Sequence, residues 1–431
     1  MRNNIVALGL GSNLDQPLEY LRTALAHIKK IPHIKVLKLS SIYESDAQLP
    51  ENANADWNLK YLNAVVVCEV LDDLKPRELL FVLKNIEVKM GRLKSEKWAP
   101  RTIDIDLLIW GNLHLNEKDI VLPHSRIFER PFVLLPLIEV LPDVALAERP
   151  YWLNSWVSEK PFNTVKSSIY FWPQFVGILN LTTDSFSDGG QLLSAEALLL
   201  QSEKLLKAGA EILEVGAEST RPHATLISPE VETKNLNWAL DLIRPLKKKF
   251  RFKLSLDSRR AEVVTPILES HHLDYLNDVS GFNSKEMQKI LKSSNLNAFV
   301  MHSLSIPPDD QKVLEQGENP AESLTKWWFK KLKLLKDFGV SEDRLVFDPG
   351  IGFGKTKQQN QHLLNHLSDF SQIQAPLMIG HSRKSYQTLF SDRKAGFRDL
   401  ETALVTQHLN LAYVQFLRVH DVETQKIALR Y

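Results

Sequence analysis

Apolar and polar positions follow two different rhythms along this chain. Ile5–Leu10 is a short apolar run ended by Gly11-Ser12-Asn13, the mark of a strand that stops at a turn. Pro17 to Ile31 follows with Leu18, Leu21, Leu25 and Ile28 at helical spacing. Ile34–Tyr43 and Tyr61–Val70 read as strands, Pro76–Met90 as a helix opened by its proline, and Thr102–Trp110 as a further strand. Strand-helix-strand-strand-helix-strand is the split βαβ order, so the first half is predicted to be α+β and ferredoxin-like.

The rhythm breaks between Asp143 and Gln174, where Trp152, Trp156 and Trp172 mix with Pro150, Pro161 and Pro173. We expect one domain over 1–158, a linker over 159–172, and a second domain over 173–431. The linker's aromatics predict that it packs on one or both domains. Beyond it come short apolar segments with polar C-terminal ends: Phe175–Asn180, Ile212–Glu218, Lys253–Asp257, Tyr275–Asp278, Ala298–His302, Leu345–Asp348, Leu377–Gly380 and Gln415–His420. Helix-like stretches such as Ala195–Ala208, Asn235–Lys249 and Leu400–Ala412 separate most of them. That alternation predicts a (β/α)8 TIM barrel, whose strand ends build the active site. Here they offer Asn180, Thr220, Asp257, Asn277, Asp348, Lys384, Arg418 and His420.

A length of 431 residues suits two or three domains. With 53 Lys+Arg against 52 Asp+Glu, the net charge of +1 argues against a general nucleic-acid binder. The single cysteine, Cys68, excludes a disulfide framework. Within Val65-Val66-Val67-Cys68 it reads as a buried strand thiol. Apolar runs fall short of the ~18 residues that span a bilayer, and the start MRNNIVALGLGSN is too short in apolar residues for a signal peptide. A soluble cytoplasmic protein, with no membrane or nucleic-acid partner, is expected.

The sharpest local pattern is Trp98-Ala99-Pro100-Arg101-Thr102-Ile103-Asp104-Ile105-Asp106-Leu107. In a strand, Ile103, Ile105 and Leu107 share one face, while Asp104 and Asp106 point together from the other. Paired carboxylates repel unless a cation lies between them, and oxygen donors suit Mg²⁺ with a nucleotide phosphate. The alternative is a solvated acidic face. Arg92, Lys94, Lys97, Arg101, His124, Arg126 and Arg130 cluster around the acids in sequence, as polyphosphate binding demands.

With Leu10-Gly11-Ser12-Asn13, Tyr61-Leu62-Asn63-Ala64, Gly91-Arg92, Pro123-His124 and Arg130-Pro131-Phe132, that segment resembles 6-hydroxymethyl-7,8-dihydropterin pyrophosphokinase over residues 1–150. The resemblance implies transfer of the β,γ-pyrophosphoryl group of ATP to a pterin hydroxymethyl group, releasing AMP. By the same resemblance, Asp104 and Asp106 hold two Mg²⁺ ions, and Arg92 and Arg101 neutralise phosphate. His124 and Arg130 lie near the nucleotide, Asn63 with Tyr61 and Phe132 binds the pterin, and Trp98 is a further substrate-binding residue. Lys94 stands where the family usually has a second arginine, a point charge without the bidentate fork.

The second half resembles dihydropteroate synthase over roughly 174–431. The motifs are Gly177–Asn180 with Asp184-Ser185-Phe186-Ser187-Asp188-Gly189-Gly190, Gly216-Ala217-Glu218-Ser219-Thr220-Arg221-Pro222, Leu256-Asp257-Ser258, Asn277-Asp278-Val279, Asp348-Pro349-Gly350-Ile351-Gly352-Phe353-Gly354-Lys355, and Ser382-Arg383-Lys384-Ser385 with Arg418-Val419-His420-Asp421. The resemblance implies that 4-aminobenzoate displaces pyrophosphate from the activated pterin. Asp348 is the first choice for the carboxylate that pairs with the pterin's N–H donors, with Asp257, Asn277 and Lys384 completing a polar rim. Arg418 and His420 receive pyrophosphate, with Asn180 as a Mg²⁺ ligand. Thr220, Arg221, Pro222, Phe353 and Ser385 border the arylamine. Lys384 and the charged residues Arg92, Arg101, Asp104 and Asp106 are the expected catalytic set.

Thr183 and His223 depart from that family's usual proline and glycine. Gly9-Leu10-Gly11 lacks the third glycine of a dinucleotide loop, and Gly354-Lys355-Thr356 lacks the first glycine of a Walker loop. His271-His272 has no partner at metal spacing and reads as surface. A pterin-dependent methyltransferase and a pterin-binding scaffold with one inactive half are the competing readings. A homodimer through the barrel is expected to be possible.

Overall fold

The computed structural model describes residues 4–49, 52–71, 74–92, 98–127, 130–142, 165–166, 170–181, 194–218, 227–309 and 311–430. The chain divides into two compact units, Met1–Trp172 and Pro173–Tyr431.

The first unit runs β1 (Ile5–Ser12), α1 (Pro17–Lys29), β2 (Ile34–Leu39), β3 (Tyr43–Ser45), β4 (Tyr61–Val70), α2 (Pro76–Lys89) and β5 (Asp104–Trp110). A hairpin of β6 (Leu115–Glu117) and β7 (Ile120–Leu122), then α3 (Pro131–Val140) and β8 (Val165–Lys166), complete its described α-helices and strands. The sheet order is β5-β1-β4-β3-β8 with β2 also on β4, and the pairs are antiparallel. Strand β4 lies between β1 and β2, which is the split βαβ arrangement of the ferredoxin-like fold.

Both faces of this sheet are buried. Leu21, Ala24, Leu25 and Ile28 of α1 and Leu79, Leu83 and Ile86 of α2 are the covered faces of those helices. Ile5, Ala7, Val65 and Val67 form a core with Leu134, Leu137 and Val140 of α3. Cys68 lies in this interior at 0% exposure, and burial pushes its thiol up to about 12.

The expected strand Ile34–Tyr43 is broken in two. Ser40 Oγ accepts the Val65 N–H at 2.8 Å, and Glu139 accepts both the N–H and the hydroxyl of Ser41 at 2.9 Å. These side chains replace ladder bonds between Leu39 and Tyr43. The described part of the segment expected as a linker belongs to this unit. Strand β8 pairs with β3, Trp172 Nε1 donates to Ser40 O at 2.7 Å, and Arg22 donates to the carbonyls of Phe171 and Trp172 at 2.8 and 2.9 Å.

The second unit carries β9 (Gln174–Asn180), α4 (Ala195–Ala208), β10 (Ile212–Gly216), α5 (Pro229–Ile243), β11 (Lys253–Asp257), α6 (Ala261–Ser270), β12 (Tyr275–Asp278) and α7 (Lys285–Ser293). It continues with β13 (Asn297–Met301), α8 (Pro320–Phe338), β14 (Leu345–Asp348), α9 (Lys357–Asn365), β15 (Met378–Ile379), α10 (Asp399–His408), β16 (Phe416–Val419) and α11 (Val422–Ala428). Its eight-stranded sheet is ordered β14-β13-β12-β11-β10-β9-β16-β15. A parallel bridge between Phe347 and Leu377 joins the two ends, closing the barrel.

The barrel's inward side is fixed by one contact. Tyr275 and Phe416 meet at 5.9 Å between ring centroids, although β11, β10 and β9 separate their strands in the sheet. Only a contact across the interior can do this. Val176, Ile212, Phe299, Val346 and Met378 join the same layer. His271 departs from expectation: it is 7% exposed and its Nε2 lies 2.9 Å from Asn237 Oδ1, a satisfied buried histidine. Among the described residues, no helix is long and apolar enough to cross a membrane.

Candidate active sites of the two units

In the first unit, alternation along β5 buries Ile105 and Leu107 and turns Asp104 and Asp106 to the opposite face. Arg92 donates to Asp104 Oδ1 at 2.7 Å and Arg101 to Asp104 Oδ2 at 3.1 Å. Burial pushes the Asp104 carboxyl up, but Arg92, Lys84 and Arg101 outweigh it and hold the group below its ordinary value. Lys84 Nζ lies 3.8 Å from Asp104 and 3.7 Å from Asp106. Glu87 completes the cluster from the buried face of α2. It accepts the Ile105 N–H at 2.7 Å and Lys84 at 2.8 Å, and it pairs with Arg92. Neither Lys84 nor Glu87 was expected. The available signal is that Glu87 sits beside Ile86 on an otherwise apolar helix face, where a charge needs partners.

A cavity of about 250 Å³ opens beside these acids. Tyr61, Asn63, Trp98 and Phe132 line it together with Arg101, Arg130, Asp104 and Asp106. Asn63 Nδ2 donates to Ser45 Oγ at 2.9 Å, which fixes the amide at the cavity wall. Trp98 has φ of +80°, a conformation that costs a bulky residue free energy and marks a constrained position. His124 is anchored by its N–H to Leu108 O at 2.8 Å. Burial holds its ring below the ordinary histidine value against the pull of Asp106. The expected residues of this half therefore converge. Lys94 lies outside the described residues.

In the barrel, the residue two positions beyond each member of the aromatic layer also points inward. That places Glu214, Asn277, Asp348 and Arg418 in a polar layer above Ile212, Tyr275, Val346 and Phe416. Arg418 Nη1 donates to Glu214 Oε1 at 3.2 Å, and Arg418 Nη2 lies 4.0 Å from Asp348 Oδ2. Ser255 Oγ donates to Glu214 Oε2 at 3.1 Å, and Asn277 Nδ2 donates to Asp257 Oδ1 at 3.0 Å. A Cβ at Gly380 would stand 3.0 Å from Arg418 Nε, so a larger residue there would displace the guanidinium.

One guanidinium cannot offset two buried carboxyls, Glu214 and Asp348, and a half-buried third, Asp257. Burial raises Asp348 and Glu214 against the opposing pull of Arg418. Burial and then Glu214 push Asp257 up to about 8, so it keeps its proton at neutral pH. Glu214 was not expected. Its signal is a lone acid inside Ile212-Leu213-Glu214-Val215, an otherwise apolar strand.

Asn277 Oδ1 and Asp348 Oδ2 are buried without a hydrogen-bond partner among the described residues. Lys384 Nζ stands 4.2 Å over the Phe353 ring. His420 Nδ1 lies 2.9 Å from Ser382 Oγ, and Asn180 ends β9 at the same C-terminal end of the barrel. Ser385 opens a short 3₁₀ turn directly after Lys384 and is exposed. Thr220, Arg221 and Pro222, like Thr183 and His223, lie outside the described residues.

Residues 176–420 match the family described as pterin binding enzyme, and residues 7–142 match 7,8-dihydro-6-hydroxymethylpterin-pyrophosphokinase. The Folate synthesis bifunctional protein of Chlamydia caviae is 34% identical over 98% of this chain and 96% of its own length. The chain belongs to this bifunctional folate-synthesis family. Dihydropteroate synthase from Anaplasma phagocytophilum, solved with bound 6-hydroxymethylpterin-monophosphate, is 30% identical. It covers 60% of this chain and 98% of its own, at a TM-score of 0.54. The Plasmodium falciparum HPPK-DHPS structure covers 99% of this chain and 94% of its own. At 21% identity and a TM-score of 0.53, that likeness is one of fold.

As a family member, the chain is an enzyme with both activities. Its pyrophosphokinase uses ATP to activate 6-hydroxymethyl-7,8-dihydropterin, and its dihydropteroate synthase joins the activated pterin to 4-aminobenzoate. The methyltransferase and scaffold readings are set aside.

Proposed function

We propose that Asp104 and Asp106 hold two Mg²⁺ ions while Arg92 and Arg101 take up phosphate charge. His124 and Arg130 face the nucleotide, and Tyr61, Asn63, Trp98 and Phe132 receive the pterin. Two carboxylates on one face of a strand, beside a cavity rimmed by arginines, fit a hard divalent ion. When bound, Mg²⁺ neutralises charge on the triphosphate. The pterin hydroxymethyl oxygen attacks the β-phosphorus of ATP. An O–P bond forms, the bond to the α,β-bridging oxygen breaks, AMP leaves, and the hydroxyl proton passes to solvent. Arg92 and Arg101 stabilise the charge that develops.

In the barrel, Asp257, Asn277, Asp348 and Lys384 bind the pterin of the activated intermediate. The observation that carries this assignment is the pair of buried acceptors without a hydrogen-bond partner among the described residues, Asn277 Oδ1 and Asp348 Oδ2. A pterin brings the 2-amino and ring N–H donors that such acceptors need. Arg418 and His420 receive the pyrophosphate, with Asn180 as a Mg²⁺ ligand. Thr220, Arg221, Pro222, Phe353 and Ser385 border 4-aminobenzoate. The arylamine nitrogen attacks the pterin methylene carbon. A C–N bond forms, the C–O bond to pyrophosphate breaks, and the amine proton is released.

A homodimer through the barrel is supported by exposed Phe397, Leu400 and Leu404, at 60%, 50% and 49% exposure. A reducing cytoplasm is supported by the single buried thiol. The assay that tests the whole reading supplies ATP, Mg²⁺, hydroxymethyl pterin and 4-aminobenzoate, and expects AMP and dihydropteroate together. A sulfonamide should inhibit only the second step, competitively with 4-aminobenzoate. A noncompetitive pattern would place the arylamine elsewhere.

A further inference from the structure

Lys355 belongs to the Gly-Lys-Thr sequence that has no Walker loop around it, and neither reaction above uses it. It is 8% exposed. Its Nζ reaches three acceptors: His302 Nδ1 at 3.0 Å, Gly350 O at 3.0 Å and Phe353 O at 2.8 Å. Burial lowers Lys355 to about 7, and in its protonated form Nζ has three donors and no acceptor, so this set uses its capacity in full. Burial and then the charge of Lys355 hold His302 near 2, so its ring is neutral and Nδ1 can accept.

Two of those acceptors belong to the loop between β14 and α9, on either side of Ile351-Gly352. The loop is braced from other sides as well. Phe353 N donates to Gly350 O at 3.0 Å, and Asn360 Oδ1 accepts the Gly352 N–H at 2.8 Å. Gly350 has φ of +65°, and a Cβ there would stand 2.0 Å from His302 O. The loop is thereby pressed against the end of β13, with Lys355 as the bond that ties the two together. Phe353 is the residue it presents, 3% exposed, packed with Val279 and Met301 and lying under Lys384 Nζ.

We propose that Lys355 is a positioning residue for the arylamine substrate, setting the place of the Phe353 ring by holding its carbonyl and that of Gly350 to His302. The inference rests on the reading that Phe353 borders 4-aminobenzoate. Replacing the ammonium with an apolar side chain leaves the Phe353 carbonyl and the His302 ring nitrogen buried without that donor, while Gly350 O keeps only the Phe353 N–H, and the loop must move to satisfy them. Three of the four side chains proposed to bind the pterin, Asp257, Asn277 and Asp348, stand on strands rather than on this loop, so pterin recognition should be largely spared.

The test uses the full chain, with pterin pyrophosphate supplied directly and KM measured for each substrate. Lys355→Met should raise the KM for 4-aminobenzoate about tenfold or more. The KM for pterin pyrophosphate should stay within about twofold, and the pyrophosphokinase rate should not change. His302→Phe removes one of the three acceptors while keeping a ring against Trp327, so it should give a smaller rise with the same selectivity. It also stands in if Lys355→Met does not fold. Phe353→Leu separates the proposal from the reading beneath it. If Phe353→Leu raises the KM for 4-aminobenzoate while Lys355→Met and His302→Phe do not, Lys355 has no positioning role. If Phe353→Leu leaves that KM unchanged, the arylamine pocket is misplaced and the proposal falls with it. Equal rises in both KM values in the Lys355 variant would make it a general support of the barrel and overturn the proposal.

Discussion

Around Asp104 the cations outnumber the acid: Arg92, Arg101 and Lys84 lie at 2.7, 3.1 and 3.8 Å. Inside the barrel the balance reverses, with Glu214, Asp257 and Asp348 around Arg418. The first arrangement is legible in the sequence because alternation in a strand pairs Asp104 with Asp106 and the nearby arginines are close along the chain. Glu214 is not, because its partner Arg418 lies 204 residues away. Glu87 escapes for a related reason, since a single acid on an apolar helix face reads as an exception to the pattern. It also leads to a prediction. Glu87→Ala leaves the Ile105 N–H unpaired and takes a buried partner from Arg92 and Lys84. Lys84 and Arg92 are themselves partly exposed, so the loss is set mainly by the unpaired buried N–H, roughly 1–3 kcal/mol. The urea midpoint for pyrophosphokinase inactivation should fall well below the wild-type value while the synthase midpoint holds. An unchanged midpoint would mean that Glu87 is not a structural partner of these cations.

At the scale of elements, the barrel strands stand out as apolar runs because parallel strands are covered on both faces. The break at Ser40 and Ser41 does not, because it depends on Glu139, 98 residues later. Strand ends also carry buried histidines. Just beyond β15, His381 is 0% exposed, with Nδ1 2.9 Å from the Tyr386 hydroxyl and Nε2 2.9 Å from Thr406 Oγ1 of α10. Burial holds it down to about 3. The unfolded chain takes up a proton near 6.5 that the folded barrel refuses, so this residue's contribution is present above 6.5 and is lost as pH falls from there toward 3. Asp257 runs the opposite way. With its folded value raised to about 8, its contribution is greatest at low pH and is lost as pH rises toward that value. The net pH profile therefore mixes signs, and a difference isolates one group. The destabilisation caused by His381→Gln should shrink by about 1.4 kcal/mol for each pH unit below 6.5. Urea unfolding of both proteins at pH 7.5, 6.0 and 5.0 reads this directly. A constant difference would show that His381 takes up a proton in the folded state.

At the scale of the molecule, each unit has its own core, and the first activity makes the substrate of the second. Both activities should require divalent metal, the pyrophosphokinase more steeply. On the proposed assignment its two carboxylates would depend on ions to meet a triphosphate, whereas Arg418 and His420 would share the task in the barrel. Titration with a chelator, with the two rates followed separately, should silence the first before the second. Pyrophosphokinase turnover that survived chelation would remove Asp104 and Asp106 as metal ligands. The units can also be inactivated one at a time. Asp104→Ala should cost the pyrophosphokinase about 2–4 kcal/mol of transition-state stabilisation, the scale of one preorganised electrostatic group. Synthase turnover of supplied pterin pyrophosphate should stay near wild type, because Asp104 lies in the unit Met1–Trp172 and the barrel in Pro173–Tyr431. Lys384→Ala should do the reverse. Neither variant alone should convert hydroxymethyl pterin to dihydropteroate. An equimolar mixture should do so by free diffusion of the intermediate, after a lag that shortens as enzyme concentration rises. A mixture that stays silent while each surviving activity is intact would mean that the intermediate passes within one molecule. One substitution that silenced both activities would instead show that the chain does not divide, functionally, where its compact units do.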